Sequence, residues 1–409
     1  MNTDTPLHSY DKPIFNESTT LYNNNDASYP QIVGGELKLI NQGTYGCIYH
    51  PGINCQGKKE NKKYLTKIQK NAKTIENEVE ISKIIKTIKG YTKHFAPILK
   101  QCPVRIAKQY THELQQCELF RDVDTMNLHK QTYVSNKIRY VGNTNLSDHI
   151  SNQTTVFTFW KEILETHVYL LKGVTKLLTK NLVHYDIKYN NIMFDHALQK
   201  PIFIDFGITV PIDSLNTNNY RDYFYVFDTY PYWCFEVCVC NYIFRRLQLN
   251  AAKTTLVDAK TLHYIFDVFV YGEEDTDKHE IDNNIFSSRL FKDNTQKIVN
   301  EYRKTVLEYY QPFIGSSTWW DVYQHFMEKQ YFKTWDTYSL AVVYLFLIEN
   351  TISNNPNLYH MLENNTKPVF NKYMTFLFTT IFSRPDDRPT PDNAIKKLKD
   401  IMKLAEASL

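Results

Sequence analysis

Residues 184–191 read His184-Tyr185-Asp186-Ile187-Lys188-Tyr189-Asn190-Asn191, and three of these side chains can serve one reaction. A carboxylate, a Lys two residues on and an Asn five residues on can hold an alcohol against a phosphate. Asp186 would orient the hydroxyl and accept its proton. Lys188 would neutralise the moving phosphoryl group, and the amide oxygen of Asn191 would ligate a metal ion. Fourteen residues beyond Asn191 comes Asp205-Phe206-Gly207, preceded by the apolar Ile202-Phe203-Ile204. A carboxylate at the end of an apolar strand suits Mg²⁺, which takes few protein carboxylates and completes its shell with phosphate oxygens. The two segments in this order are far more specific than either alone.

The elements around them must bring these groups together. Upstream, Glu36 to Ile40, Cys47 to His50 and Tyr64 to Ile68 read as strands. Lys58 to Lys63 between them is an exposed turn. Thr74 to Ile88 carries Ile75, Val79, Ile81, Ile84, Ile85 and Ile88, a helical stripe. Residues 32–135 thus predict short strands and loops around one helix. Trp160 to Thr179 is a second helix, followed by the short segments Val183 to His184, Ile192 to Phe194 and Ile202 to Ile204. Tyr338 to Ile348 is almost wholly apolar and predicts a buried helix. The segment up to about 404 is helical, interrupted by Pro385, Pro389 and Pro391. Residues 1–31 lack any period and are expected to form a flexible leader.

Composition narrows the classes. The chain has 409 residues with 47 Lys+Arg against 44 Asp+Glu, a balance too even for a dedicated nucleic-acid arm or an acidic tail. Hydrophobic content of 43% predicts a real core and excludes collagen, coiled coil and bulk disorder. The run Leu340 to Ile348 is far shorter than the roughly 20 residues that span a bilayer. With seven Cys and no basic-then-apolar opening, the expectation is a soluble protein of a reducing compartment with free thiols. Cys234, Cys238 and Cys240 lack paired metal-ligand spacing and read as thiols. His167 and His263 read as structural.

The Asp186 and Asp205 segments resemble the protein-kinase superfamily, and the resemblance covers about residues 33–404. It implies an α+β, bilobal protein-kinase-like fold, with a β-rich small lobe over 32–138, a helical large lobe over 139–404 and ATP in the cleft. Asn41-Gln42-Gly43-Thr44-Tyr45-Gly46 resembles the family's glycine-rich turn, with Gly43, Thr44, Tyr45 and Gly46 at the phosphates and Asn41 in place of the first Gly. Ile48 would cover the adenine. Lys67 would hold the α/β-phosphates, with Lys70 as a rival. Glu78 would pair with that Lys, with Glu76 and Glu80 as alternatives. The backbone of Arg139, Tyr140 and Val141 would bond adenine, ahead of a short helix at Leu146 to Ile150. Asn191 and Asp205 would hold Mg²⁺. Thr229 to Glu236 resembles the end of an activation loop, and Glu236 would form a buried pair with Arg388. Asp336 would accept backbone N–H bonds from the catalytic loop.

Lys188 resembles the Ser/Thr class. Thr229, seven residues before Glu236, fits the same class, and its hydroxyl would bridge Asp186 and Lys188. The implied activity is transfer of the ATP γ-phosphoryl group to a protein hydroxyl; the alternatives are a pseudokinase or docking scaffold, and a small-molecule kinase. Tyr185 stands where the family usually has an Arg that meets a loop phosphate, which implies a kinase that does not need that switch. About 85 residues beyond the family's usual length lie between Glu236 and Asp336. They are expected as helices such as Thr295 to Tyr310, either packed on the large lobe or, at about 240–330, forming a docking surface. The acidic run Glu273 to Asp277 reads as a solvated loop. The run 43–49 with Pro51-Gly52 and Asn54-Cys55 is similar to kinases of large cytoplasmic DNA viruses, which implies a cytoplasmic or virion location, with no nucleic-acid or membrane partner.

Overall fold

In Tyr64-Leu65-Thr66-Lys67-Ile68-Gln69 the side chains alternate, Thr66 and Ile68 to one side and Lys67 to the other, the period of a strand. The computed structural model describes residues 37–43, 46–56, 58–69, 73–105, 108–273, 284–291 and 294–408. The expected leader, Thr44, Tyr45, Lys70 and the acidic residues Glu274 to Asp277 lie outside them. The chain is mixed α+β. It begins with β1 (Leu39–Gly43), β2 (Gly46–Tyr49), β3 (Tyr64–Gln69), α1 (Lys73–Lys86) and β4 (Ile98–Val104). There follow α2 (Thr111–Gln115), α3 (Glu118–Arg121), α4 (Thr125–Lys130) and β5 (Tyr133–Arg139). The described residues fall into two compact units, 37–69 with 98–140, and 73–97 with 141–408.

The first unit is a five-stranded antiparallel sheet in the order β1-β2-β3-β5-β4. Its core gathers Cys47, Tyr49, Ile68, Val104 and Tyr133 from the strands with Leu114, Phe120 and Leu128 from α2, α3 and α4. These three helices, in the connection between β4 and β5, correct the expectation of a single helix in this region. At four to six residues each they are too short to print a helical period. The expected free thiols are also corrected in part. Cys47 is bonded to Cys117 and Cys55 to Cys102, while Cys234, Cys238 and Cys240 are free and buried. Separations of 70 and 47 residues explain the miss, because sheet register and helix packing bring these pairs together and local spacing carries no trace of them.

The second unit continues with α5 (Leu146–Ser151), α6 (Val156–Leu178), β6 (Leu182–Val183), β7 (Ile192–Asp195), β8 (Lys200–Phe203) and β9 (Val210–Pro211). Thr155 caps α6 by accepting the Thr158 N–H, and Asn145 caps α5 in the same way from Asp148. Then come α7 (Tyr220–Tyr223), α8 (Phe235–Asn241), a π-helical turn at Tyr242–Leu247, α9 (Leu249–Ala252), α10 (Ala259–Tyr271), α11 (Thr295–Tyr310) and α12 (Trp319–Glu328). The last helices are α13 (Phe332–Asn354), α14 (Pro356–Asn365), α15 (Lys367–Ile381) and α16 (Pro391–Ser408). Pro opens α14 and α16, where its missing N–H costs nothing. The apolar run at 340–348 lies inside α13 and is buried on nearly all sides, as a helix without a polar face must be. Among the described residues no helix is long and apolar enough to cross a membrane.

The described residues between Glu236 and Asp336 are mainly helical, and α11 falls where its pattern places it. Most of the described aromatic rings there are core, although Tyr264 is exposed. Phe235 packs against Phe266, Phe269 and Tyr310, while Phe286 and Tyr302 meet Phe382 just beyond α15.

Candidate active site

A β-hairpin closes the gap between the two chemistry-bearing segments. β7 pairs with β8 so that Ile192 faces Phe203 and Asp195 faces Lys200. The turn is tied by Asp195, whose Oδ1 accepts the N–H groups of Ala197 and Leu198 at 3.0 and 3.1 Å. One step past the ladder, the Ile204 N–H donates to the Asn191 carbonyl at 3.0 Å. The loop 184–191 and the segment 205–207 therefore leave the same end of one hairpin. On the other flank β6 pairs with β9, Leu182 opposite Pro211 and Val183 opposite Val210.

Behind the loop stands Asp336. Its two carboxylate oxygens accept the backbone N–H of His184 (2.7 Å) and of Tyr185 (3.0 Å). This is the bonding expected of it. Burial raises its pKa above the usual carboxylate range, with His184 and the two N–H bonds acting in the other direction. Tyr185 has φ +69°, a left-handed conformation that costs a non-glycine residue free energy. That conformation turns two successive N–H groups toward one carboxylate. The Tyr185 ring is buried, with Trp233, Phe224 and Trp335 around it. An uncharged ring thus fills the place where the kinase resemblance anticipates an Arg.

Asp186 points its carboxylate into a ring of donors. Asn191 Nδ2 donates to Asp186 Oδ2 at 2.7 Å and to the Asp186 carbonyl at 2.9 Å. Lys188 Nζ lies 3.3 Å from Oδ1. Both hydrogens of the Asn191 amide are directed at Asp186, which leaves its Oδ1 as the acceptor. A hard cation would take that oxygen. The expected partner Thr229 is not in this ring. Its hydroxyl donates to the Phe269 carbonyl at 3.2 Å, and Tyr230, one residue on, donates its phenol O–H to Asp186 Oδ1 at 2.7 Å. The tight bend at Asp228, whose Oδ1 accepts the Thr229 and Glu273 N–H groups, turns Thr229 outward.

Asp205 is the second metal-ligand candidate. It is exposed, with φ +58°, and its Oδ1 accepts the Gly207 N–H at 3.4 Å. Phe206 is buried between His184 and Phe95, so the backbone reversal at Asp205 sends the ring into the core and the carboxylate out of it. Asn77 on α1 ties down the following residues, donating to the carbonyls of Gly207 (2.9 Å) and Thr209 (3.3 Å) and accepting from the Tyr223 hydroxyl (3.0 Å). On the same helix Glu78 is buried, whereas Glu76 and Glu80 are exposed and Glu80 pairs with Lys83. Burial therefore singles out Glu78 among the three acids.

The candidates in the first unit share one sheet face. Ile48 lies opposite Lys67, and Lys67 opposite Asn136; directly opposed residues point the same way. Their neighbours Cys47 and Ile68 enter the core under α2–α4, so Ile48 and Lys67 project from the other face. Gly43 and Gly46 are paired at the end of the β1–β2 ladder. A Cβ on Gly46 would stand 2.7 Å from the Ile68 carbonyl oxygen, so close strand packing also demands glycine there. The Tyr140 N–H is engaged by the Lys63 carbonyl at 3.0 Å, and its ring stacks on His50. Val141 is buried in the second unit, followed by Gly142 at φ +112°.

The expected pair of Glu236 and Arg388 is present. Arg388 grips Glu236 with two bonds of 2.6 and 3.0 Å, both side chains almost fully buried. Burial alone would lower the Arg388 pKa; Glu236 drives it upward. His167 is buried, bonded to the Tyr373 hydroxyl and stacked on Tyr344, whereas His263 is exposed. Sequence reasoning missed Asn77, Tyr230 and Trp233, the last donating from Nε1 to the Tyr185 carbonyl at 2.7 Å. Tyr230 and Trp233 lie inside the Thr229–Glu236 motif, so their aromatic character was the available signal. Asn77 had none beyond adjacency to Glu78. No protein-family model matches the chain, and no curated protein matches it.

Proposed function

We propose that the chain is a bilobal Ser/Thr protein kinase, transferring the γ-phosphoryl group of ATP to a protein hydroxyl. The observation that carries this reading is the state of Asp186. Its carboxylate is held by Asn191 and Lys188, and its backbone is anchored through Tyr185 to Asp336. The strand order β1-β2-β3-β5-β4 with α1 between β3 and β4 agrees with the family resemblance, as does the buried Glu236–Arg388 pair.

In this reading Asp186 positions the acceptor hydroxyl and takes its proton, and Lys188 steadies the transferring group. Lys67 and Glu78 serve the α/β-phosphates, and Gly43 to Gly46 with Ile48, Tyr140 and Val141 serve the rest of the nucleotide. Mg²⁺, when bound at Asn191 and Asp205, would neutralise phosphate charge. Catalysis is then mainly positioning and charge compensation. Because Tyr185 carries no charge to meet a phosphate, activity does not depend on phosphorylation within 205–236.

Radiolabelled ATP with casein as acceptor tests the reading. The wild type should label casein, and Asp186→Asn should lose about 10²–10⁴-fold, the range for a positioned general base. Phosphatase pretreatment should leave the wild-type rate unchanged. Absence of labelling by the wild type, or near-normal turnover by Asp186→Asn, would overturn it.

A further inference from the structure

An ionised carboxylate offers about four lone-pair directions. Among the described residues, three donors meet that of Asp186: Asn191 on Oδ2, and Lys188 with Tyr230 on Oδ1. The Tyr230 bond is the shortest of the two on Oδ1, at 2.7 Å against 3.3 Å. A phenol donating to a carboxylate makes a charge-assisted bond, stronger than a neutral one.

Tyr230 is also held in place. Its ring meets Trp233 edge-on at 4.7 Å and Tyr232 at 5.4 Å. Trp233 in turn donates to the Tyr185 carbonyl, the peptide group that leads directly into Asp186. One aromatic pair therefore grips the Tyr185–Asp186 segment twice, Trp233 at the backbone and Tyr230 at the carboxylate. Thr229 cannot share this work, since its hydroxyl and its N–H are both engaged elsewhere.

We propose that Tyr230 is a positioning residue for Asp186: its hydroxyl fixes Oδ1 together with Lys188, leaving the remaining direction on Oδ2 for the acceptor hydroxyl. This deepens the phosphotransfer reading above and rests on it.

Tyr230→Phe removes one oxygen and keeps the ring contacts. Its kcat should fall about tenfold with the KM for ATP within about twofold, because the effect is on the base and not on nucleotide binding. The split between the two constants is the signature, since a general loosening of the site would raise KM as well. Thr229→Val should leave kcat and KM unchanged. A crystal structure of Tyr230→Phe should show the Asp186 carboxylate turned out of its present orientation, or in more than one, whether or not the enzyme turns over. An Asp186 carboxylate that keeps its orientation in Tyr230→Phe, or an equal fall in kcat in Thr229→Val, overturns the proposal. A wild type that transfers no phosphoryl group overturns the kinase reading alone, and the orientation of Asp186 in Tyr230→Phe still decides the role of Tyr230.

Discussion

Lys67 and Asp186 are both polar side chains, and the molecule holds them by different means. Lys67 sits on a central strand, where ladders to β2 and β5 fix its backbone on both sides. Asp186 sits on an irregular loop, where side chains of Asn191, Tyr230, Trp233 and Asp336 fix it from points up to about 150 residues away. A ladder survives the loss of any one side chain, because its bonds are backbone to backbone. A loop held by side chains does not. Mutational sensitivity should therefore be concentrated in the second unit.

The largest contrast is between two ion pairs. Arg388 and Glu236 are almost fully buried and anchor the segment that delivers Tyr230 and Trp233. Arg388→Leu leaves the Glu236 carboxylate buried without its partner, and should cost about 3–5 kcal/mol. In the first unit Lys137 pairs with Glu60 at 3.0 Å, part-exposed, with the Tyr64 ring below it. Lys137→Ala should cost about 1 kcal/mol or less. Urea unfolding of both variants gives the comparison, and equal shifts would erase it.

A smaller effect is expected at Asp336. In Asp336→Asn one carboxylate oxygen becomes an NH₂ group facing a backbone N–H, so a buried donor loses its acceptor. The cost should be about 1–3 kcal/mol, and kcat should fall because the loop carrying Asp186 loses an anchor. The counterpart in the first unit is Gln101→Ala. It removes only the side-chain bond to Asn136 at 3.1 Å while the β4–β5 ladder stays intact, and it should change stability by under about 1 kcal/mol. Both are read from urea midpoints, with casein labelling as the second readout for Asp336→Asn.

What could be read in advance follows the same division. β2, β3, α1, α6, α11 and α13 fall close to their apolar patterns, because each buries one face or all faces of a regular element. β1 runs Leu39–Gly43 where a strand was expected at Glu36 to Ile40, and Leu37 enters the core ahead of the ladder. The chain positions of Asp186, Asn191, Asp336, Glu236 and Arg388 were legible because motif order stands in for distance. The choice between Thr229 and Tyr230 was not legible. It turns on which way one peptide faces, and that is decided by Asp228 and the start of the segment at Gly272 and Glu273. The two disulfides were hidden because they join positions 47 and 70 residues apart, and α2–α4 because they are too short to show a period.

Acid should separate the two units, and the sign follows from two buried histidines. Burial pushes His94 from 6.5 down to about 4, with Lys176, Lys172 and Lys93 adding to the effect, and pushes His167 from 6.5 down to about 3. Below about pH 6.5 the unfolded chain therefore binds protons that the folded second unit refuses. Stability is complete above that pH and declines as pH falls, until about 4 for His94 and about 3 for His167. Each histidine contributes at most about 1.4 kcal/mol per pH unit. In the first unit burial raises Glu60, but the Asn61 N–H and Lys137 hold it below its usual 4.5. Its contribution is lost only beneath that value, so pH 5–6.5 reads the second unit, where His94, His167 and the part-buried His325 act together and the raised Asp336 acts in the opposite sense. All five Trp, at 160, 233, 319, 320 and 335, lie in the second unit and report on it alone. The urea midpoint followed by Trp fluorescence should fall between pH 6.5 and 5, and His167→Gln should flatten that slope, since the amide can still bond Tyr373 but cannot take the proton. An unchanged slope in His167→Gln would mean that the acid sensitivity of the second unit lies in its carboxylates, as in the first.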